Sequence, residues 1–384
     1  MTLDAELAAE LADREAGGLR RSRRLLDSPQ RAHVRVDGRD YLAFCSNDYL
    51  GLASDPRIVA AAKEGAERYG VGAGASHLIL GHAAAHHELE AALAAFTGLP
   101  QALLFSTGYM ANMGVVSTLV GRGDALFADR LNHASLNDAA LLSRAVFRRY
   151  PHNDLAALER LLATTPARRR LVIVDAVFSM DGDIAPVPEL LELCARHDAW
   201  LLIDDAHGFG VLGAQGRGTA EHFGIRSDRL IYMATLGKAA GVSGAFVAGS
   251  KVLVESLLQQ ARTYVYTTAT PPLLAHALLT SLQIIRQEDW RREHLRELVS
   301  RLKQGLQGTP WRLLPSDTPI QPLLVGGNEE ALALSARLAA QGLLVPAIRP
   351  PTVPQGTARL RISLSADHAA ADIDRLVAAL REPA

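Results

Sequence analysis

The chain has 384 residues, of which 48 % are hydrophobic, and a formal net charge of −1, as in a globular protein with a large core. This charge balance predicts no basic field for nucleic acid or an anionic membrane, and no apolar segment approaches the ~20 residues of a spanning helix. The cysteines, Cys45 and Cys194, form no CxxC pair, so they indicate neither a metal site nor a disulfide framework. Since no charged-then-apolar leader is present, we expect a cytoplasmic protein.

The N-terminal residues predict a helical arm followed by a hairpin. An amphipathic helical pattern is broken near Gly17-Gly18, and Asp37-Gly38 supplies the turn signal of the hairpin RVDGRDYLAF. Four arginines lie between them, and such a cluster is most often a solvated face; the alternative is that one of them grips a substrate anion. The cluster comprises Arg20, Arg21, Arg23 and Arg24.

Two glycine-containing segments are candidates for binding phosphate. The first, GVGAGASHLILG, is predicted to be a loop after the helix Arg57–Tyr69. Because no strand precedes it, it does not fit a Rossmann fingerprint, and because no Gly-Lys-Ser/Thr follows, it does not fit a Walker loop. The second, QALLFSTGYMANMG, predicts a strand, a tight turn at Ser106–Gly108 and a helix. The free amides and the dipole of such a helix start favour an anion.

Four apolar runs end in polar residues or glycine and predict buried strands of a mostly parallel α/β sheet. Uninterrupted apolar runs are typical of strands covered on both faces, and ligands bind beyond the carboxyl ends of such strands. The two clearest runs are Trp200–Ile203 and Leu230–Met233. The polar residues that follow the four runs are Asp129, Asn132, His133, Ser179, Asp204, His207, Thr235 and Lys238.

Lys238 is the most informative of these residues. It lies in TLGKAAGVSGA, and no other charged residue occurs from Leu230 to Ser250. A lysine in small, apolar surroundings is partly desolvated, so its pKa falls and it becomes a usable amine nucleophile. The alternative is an ordinary solvated lysine, and Asp204 alone could be a helix cap.

The C-terminal part of the sequence predicts further helices and a smaller α/β unit. A helix over Val252–Arg262 precedes the threonine cluster YVYTTATPP, and Leu273–Val299 predicts one long helix. Beyond Trp311, three short strands and two helices are expected. The strands are predicted around Pro322–Val325, Leu343–Val345 and Arg359–Leu364.

A desolvated amine, an acid three residues before an imidazole and an anion-binding helix start together suit pyridoxal phosphate (PLP). This cofactor needs a lysine for its aldehyde, an acid to keep its ring nitrogen protonated, and a phosphate site. Two readings from other classes remain. A nucleotide-binding oxidoreductase is disfavoured because no GxGxxG follows a strand, and a non-catalytic interaction protein leaves the combination of amine, acid and imidazole unexplained.

The sequence resembles the α-oxoamine synthases, a family of fold-type I PLP enzymes, over nearly its whole length. The motifs that carry the resemblance are SNDYLGL, ADRLNHASL, VFSMDGD, DDAHGFGVLG and TLGKAAGVSGA. The resemblance implies an aspartate-aminotransferase-like fold with a mostly parallel large domain. We expect an N-terminal arm and hairpin over 1–45, a PLP-binding domain over 46–285 and a small α/β domain over 286–384.

The resemblance also implies roles for individual residues. Lys238 would hold the cofactor and move the α-proton, Asp204 would face the ring nitrogen, and His207 would face the phenolic oxygen. His133 would stack on the ring, with Ser179 beside it. Phosphate would be held by Gly108, Tyr109 and Thr235, with Thr267 or Thr268 from a partner subunit. Arg361 would bind the amino-acid carboxylate, and the substrate channel would be lined by Arg20, Asn47, Ser76 and Thr352; no metal is expected.

Within the family, the segment AIRPPTVPQGTARLRISLSA favours an acyltransferase that joins L-alanine to a pimeloyl thioester and releases CO₂. The alternative is a glycine-using relative, such as a 2-amino-3-ketobutyrate ligase or a 5-aminolevulinate synthase. His77 departs from the Arg or Gly that relatives often carry after the serine that corresponds to Ser76. The thioester could arrive on CoA or on an acyl carrier protein, and the resemblance implies a homodimer with the active site at the subunit interface.

Overall fold

The structure is a computed structural model of the chain and describes residues 2–17 and 19–382. The helix predicted at the N-terminus ends at Ala16, and Gly17 follows it, whereas Gly18 of the predicted break lies outside the described residues. Among the described residues, no helix combines the length and apolar character needed to cross a membrane.

Helices and strands alternate through most of the chain. The helices are α1 Leu3–Ala16, α2 Pro56–Tyr69, α3 Ala84–Thr97, α4 Gly108–Leu119, α5 Ala134–Ser143, α6 Leu155–Thr164, α7 Val187–Arg196, α8 Thr219–His222, α9 Lys251–Gln260, α10 Arg262–Val265, α11 Pro272–Gln287, α12 Trp290–Gly305, α13 Asn328–Ala340 and α14 Ala370–Arg381. The strands are β1 His33–Val36, β2 Arg39–Ala43, β3 Gln101–Phe105, β4 Ala125–Asp129, β5 Val146–Tyr150, β6 Arg170–Asp175, β7 Ala199–Asp204, β8 Leu230–Thr235, β9 Ala245–Gly249, β10 Arg312–Leu313, β11 Ile320–Gly326, β12 Leu343–Leu344, β13 Ala347–Ile348 and β14 Ala358–Ser363.

A seven-stranded sheet in the order β3-β9-β8-β7-β6-β4-β5 forms the centre of the molecule. β4 to β8 pair in parallel, and β9 is antiparallel to both of its neighbours. Apolar clusters cover both faces of this sheet, which is why its inner strands read as uninterrupted apolar runs. The predicted mostly parallel α/β fold and the two clearest strands are confirmed.

Two smaller sheets flank the central one. The predicted hairpin forms from β1 and β2 with the turn at Asp37-Gly38, and β12 adds to it in parallel. The other sheet has the order β10-β11-β14-β13. The predicted strand at Leu343 therefore exists, but it pairs with the N-terminal hairpin. The predicted division of the chain into three units stays a prediction.

Two predicted elements are wrong in detail. The long helix expected over Leu273–Val299 is interrupted at Glu288 and Asp289, so that α11 packs on α2 and α3, whereas α12 packs on α14. The carboxylate of Glu288 is held there by Arg57 and Arg291. In the predicted glycine loop, His77–Gly81 form one turn of π-helix.

A buried ion-pair network ties strand ends together beside the central sheet. His152 follows β5; its Nδ1 lies 3.2 Å from both carboxylate oxygens of Asp129 at the end of β4, and its Nε2 lies 2.9 Å from Asp183. Burial disfavours the charged ring, but the hydrogen bonds to the two carboxylates outweigh it and raise the pKa of His152 to about 10. The imidazolium thus holds the loop after β6 against the ends of β4 and β5.

Replacing His152 by Gln should make stability less dependent on pH. A folded-state pKa of about 10, above the ordinary 6.5, gives stability that is fully present below pH 6.5 and is lost as pH rises through 10. The free energy of unfolding, measured with urea, should be higher for wild type than for His152→Gln. We expect this difference to be about 2 kcal/mol larger at pH 6 than at pH 10. Parallel pH profiles for the two proteins would contradict the assignment.

Candidate active site

A cavity of about 190 Å³ opens at the carboxyl ends of β4, β6, β7 and β8. Parallel strands bring their carboxyl ends to one edge of a sheet, so polar residues far apart in sequence converge there. The cavity is lined by Gly108, Tyr109, His133, Ser135, Asp175, Val177, Ser179, Asp204, Ala206, His207, Met233, Thr235 and Lys238.

A chain of hydrogen bonds leads away from the Lys238 amine. Lys238 Nζ lies 2.8 Å from His207 Nε2, and His207 Nδ1 lies 2.6 Å from the Tyr49 hydroxyl. Burial lowers the pKa of His207 well below its usual value, so the ring is neutral. A neutral imidazole carries one proton, so His207 accepts from the amine at Nε2 and donates at Nδ1 to the Tyr49 hydroxyl. That hydroxyl in turn donates to Asn47 Oδ1 at 3.1 Å.

The Lys238 amine has an unusually low basicity. Burial lowers its pKa from 10.5 to about 8, although the nearby carboxyl groups of Asp204 and Asp175 act in the opposite direction. A substantial fraction of the amine is therefore unprotonated near neutral pH, as a nucleophile or a general base requires. The desolvation predicted from the small residues around Lys238 is confirmed.

Two buried carboxyl groups lie side by side below the cavity. Asp175 and Asp204 are register partners at the ends of β6 and β7. Asp204 accepts from Asn112 Nδ2 at 2.8 Å and from the Ala206 amide at 3.0 Å, and Asp175 accepts from the His133 amide at 2.8 Å. Burial and the neighbouring Asp204 raise the pKa of Asp175 well above its usual value, which favours a protonated Asp175 beside Asp204.

The start of α4 presents free amides to the same cavity. Thr107 caps the helix: its hydroxyl accepts from the Met110 amide and its carbonyl from the Ala111 amide. Within residues 2–17 and 19–382, the amides of Gly108 and Tyr109 have no such acceptor, as expected for the first positions of a helix. Together with Thr235 they line the cavity, and free amides at a helix start favour an anion.

His133 lies at the opposite side of the cavity, at the N-cap of α5. Its Nδ1 accepts from the Ser135 amide at 3.2 Å and from the Ser135 hydroxyl at 2.8 Å, and the oxygen of that hydroxyl accepts from Asn112 Nδ2 at 2.9 Å. The ring itself is exposed toward the cavity. Because its position is fixed through Ser135 and the Asp175 carboxyl, His133 offers an oriented aromatic face to a planar ligand.

Arg361 and Asn47 form a second layer next to the cavity. The buried Arg361 guanidinium donates to the Ser179 carbonyl at 2.5 Å, to Asn47 Oδ1 at 3.2 Å and to the Ser363 hydroxyl at 2.7 Å. Ser179 lines the cavity, and Asn47 ends the hydrogen-bond chain from Lys238. The Arg361 guanidinium is therefore separated from the cavity by a single residue, Ser179.

The remaining predicted site residues lie outside the cavity lining. Arg20 pairs with Glu15 on the exposed N-terminal arm, and Thr352 is also exposed. Ser76 precedes the π-helical turn, while Thr267 and Thr268 follow α10. Within the described part of one chain, these five residues do not converge with Lys238.

Several residues of the site were not identified from the sequence. Asp175 ends an apolar run as Asp204 does, so the same strand-end signal could have found it. Tyr49 lies inside the quoted motif SNDYLGL, and Asn112 lies one helical turn after Gly108. Ser135 lies inside the quoted motif ADRLNHASL, two residues after His133.

Comparison with known proteins gives a consistent result. Residues 39–380 match the model of the family Aminotransferase class I and II. A curated relative from Nitrosomonas europaea, named 8-amino-7-oxononanoate synthase, is 68 % identical over 98 % of each chain. The fold also matches a serine palmitoyltransferase from Sphingomonas wittichii (TM-score 0.94, 32 % identity, 99 % of this chain and 98 % of that one). A structure of SPT with a PLP internal aldimine matches with a TM-score of 0.93 at 31 % identity, over 99 % and 98 % of the two chains.

Chemical labelling should detect the low basicity of Lys238. In the ligand-free chain, we expect its acylation by acetic anhydride, followed by peptide mass spectrometry, to reach half its maximal rate near pH 8. Because Asp204 raises the pKa of this amine, Asp204→Asn should move the midpoint to lower pH. The exposed Lys251 is the internal control. A midpoint near 10.5 would show that the amine is solvated.

Proposed function

Because the chain belongs to the class I and II aminotransferase family, we propose that it catalyses the PLP-dependent condensation of L-alanine with a pimeloyl thioester. The products are 8-amino-7-oxononanoate, CO₂ and the free thiol, a step of biotin biosynthesis. The observation that carries the proposal is the convergence of Lys238, His207, Asp204 and the start of α4 on one cavity. The product is the one in the name of the relative that is 68 % identical.

The residues of the cavity fit this cofactor. The partly unprotonated amine of Lys238 suits an aldehyde, and the buried Asp204 carboxyl, fixed by Asn112, suits a protonated ring nitrogen. The free amides of Gly108 and Tyr109 suit the phosphate, with Thr235 beside them. His133 would cover one face of the ring, and Ser179 would lie at its edge.

When bound, PLP supplies an aldehyde that links to an amine and a protonated ring that absorbs an electron pair. The Asp204 carboxylate would favour the protonated form of the ring nitrogen. Lys238 Nζ removes the α-proton of alanine and, after CO₂ has left, returns a proton to the same carbon. His207 accepts a hydrogen bond from Lys238 and, through Tyr49, keeps the amine oriented toward the cavity.

Arg361 is proposed to bind the carboxylate of alanine. The guanidinium is buried and held by the Ser179 carbonyl and Asn47, so its position is fixed before substrate arrives. Planar, bidentate recognition of a carboxylate is the task that arginine performs best. Asn47, Ser76, Arg20 and Thr352 are proposed to line the path of the thioester, carried by CoA or by an acyl carrier protein.

The functional unit is proposed to be a homodimer whose sites are completed across the interface. Exposed apolar side chains lie before and within the π-helical turn and directly after α10, which contacts that turn: Val71, Ile79, Leu80 and Tyr266 are each more than 70 % exposed. Large exposed apolar side chains near one another favour a protein interface. These side chains are close in sequence to Thr267 and Thr268, or contact the helix that precedes them, and the two threonines are proposed to reach the partner's phosphate site.

Since both cysteines are free thiols, we place the enzyme in the reducing cytoplasm.

Mass spectrometry of the product tests the substrate assignment. Purified protein with PLP, L-alanine and pimeloyl-CoA should yield 8-amino-7-oxononanoate. Glycine in place of alanine should give at least about tenfold less product, because the pocket wall then lacks contact with the methyl group. Preferred turnover of glycine would refute the alanine assignment and favour a glycine-using relative.

Asp204→Asn should retain PLP, since the phosphate and lysine contacts persist. Turnover should fall at least about 100-fold, because an amide cannot stabilise the protonated ring nitrogen. Asp228→Asn is the matched control: Asp228 is exposed and precedes β8 at the opposite edge of the sheet. Normal turnover of Asp204→Asn would exclude the role given to this carboxyl.

Hybrid dimers test the interface. We expect Lys238→Ala and the double variant Thr267→Ala/Thr268→Ala each to be impaired alone. If the threonines act across the interface, a hybrid of the two has one intact site, and random mixing restores about a quarter of wild-type turnover. Mixtures no more active than the average of the two variants would show that the threonines serve their own chain.

A further inference from the structure

Three histidines that the proposed function does not use lie together outside the cavity. His77, in the π-helical turn, lies beside His82 and His86, which flank the start of α3; these three residues form the histidine cluster. A ring nitrogen of each residue lies within 4.8 Å of the others. Three imidazoles grouped this closely can converge on one transition-metal ion.

The two closest nitrogens of the histidine cluster already have nearly the spacing of metal ligands. His77 Nδ1 and His82 Nδ1 lie 3.0 Å apart. Two nitrogens bound tetrahedrally to zinc at about 2.0–2.1 Å are separated by about 3.3 Å, so a small outward shift suffices. His77 is held in place by stacking on Tyr264, with ring centroids 4.9 Å apart and an interplanar angle of 10°.

The outer nitrogens of the cluster have the partners that ligating imidazoles typically have. His86 Nε2 lies 2.9 Å from the Thr270 carbonyl, to which it can donate, while Nδ1 carries the lone pair and accepts from the Ala83 amide at 3.1 Å. A metal at Nδ1 would replace only that one hydrogen bond. His82 Nε2 lies 3.9 Å from the Glu90 carboxyl, so a shift of about 1 Å would bring the two within hydrogen-bond distance.

The histidines also have the protonation state that metal binding requires. Burial, together with the neighbouring rings, lowers the pKa of His77 to about 3 and that of His82 and His86 below the usual value. All three rings are therefore neutral at pH 7. The Nδ1 proton that joins His77 to His82 would move to the Nε2 of the donating ring when the ion binds both Nδ1 atoms. The Glu90 carboxyl is the nearest acid that lines the adjoining surface cavity.

We propose that the histidine cluster is a binding site for one divalent first-row transition ion, with Zn²⁺ as the best fit. Three imidazoles leave one position of a tetrahedral ion open, and two of them, His77 and His82, line a cavity of about 580 Å³. The ion would join the π-helical turn to α3. Through Thr270 and Tyr264 it would also fix the segment that carries Thr267 and Thr268.

Cobalt binding to the tag-free holoenzyme tests the proposal. Co²⁺ in a tetrahedral site gives visible d–d absorption, and we expect it to saturate at one ion per chain and to be displaced by Zn²⁺. His82→Gln should lose this absorption and weaken binding at least about 100-fold. The His82 side chain is 30 % exposed, so the substitution should leave the fold intact. His77→Gln serves as the second variant.

The matched control is His87→Gln. His87 is exposed and lines the same cavity but does not belong to the histidine cluster, so its loss should leave cobalt affinity within about twofold of wild type. Cobalt that binds the His82→Gln and His77→Gln variants as tightly as wild type would overturn the proposal. Wild-type protein that gives no d–d absorption at millimolar Co²⁺ would overturn it as well. Neither result depends on turnover, so the proposed function is tested separately.

Discussion

The chemistry of the site depends on one partly desolvated amine at the carboxyl ends of parallel strands. Lys238 loses hydration on burial, and the attraction of Asp204 and Asp175 recovers only part of that loss, so its pKa settles at about 8. A single carboxylate in ion-pair contact would hold the amine charged and unreactive. The partner within hydrogen-bond distance is instead His207, a neutral ring, which orients the amine without fixing its charge.

Burying two carboxyl groups in neighbouring strands costs free energy, and hydrogen bonds from surrounding amides offset part of that cost. Asp175 and Asp204 are register partners, and burial together with the repulsion that two charges would feel raises the pKa of Asp175. The His133 amide, the Ala206 amide and Asn112 donate to them. Among the described residues, Asn112 Oδ1 is buried without a hydrogen-bond partner, so the inner wall of the site retains unused acceptor capacity.

The sequence predicted those parts of the site that local patterns encode, and it missed those that arise from packing. Apolar runs ending in polar residues located Asp204, His207 and Lys238, because strand period and burial are local properties. Tyr49 joins His207 across 158 positions, and Arg361 reaches Asn47 across 314, so no window of sequence reports either contact. The histidine cluster escaped notice for a related reason: the π-helical turn at His77, predicted as a loop, brings together side chains whose spacing matches no standard metal motif.

Residues of the C-terminal sheet hold one wall of the site in place. Arg361 of β14 donates to the Ser179 carbonyl, and Arg359 donates to Met180 and Asp181 of the same loop. Ser316 and Thr318 hold the Gly182 carbonyl from the opposite side. The loop after β6, which contributes Ser179 to the cavity lining, is therefore fixed largely by residues more than 130 positions away. Because these residues belong to the C-terminal sheet and the segment before it, the position of this cavity wall depends on how that sheet packs against the central one.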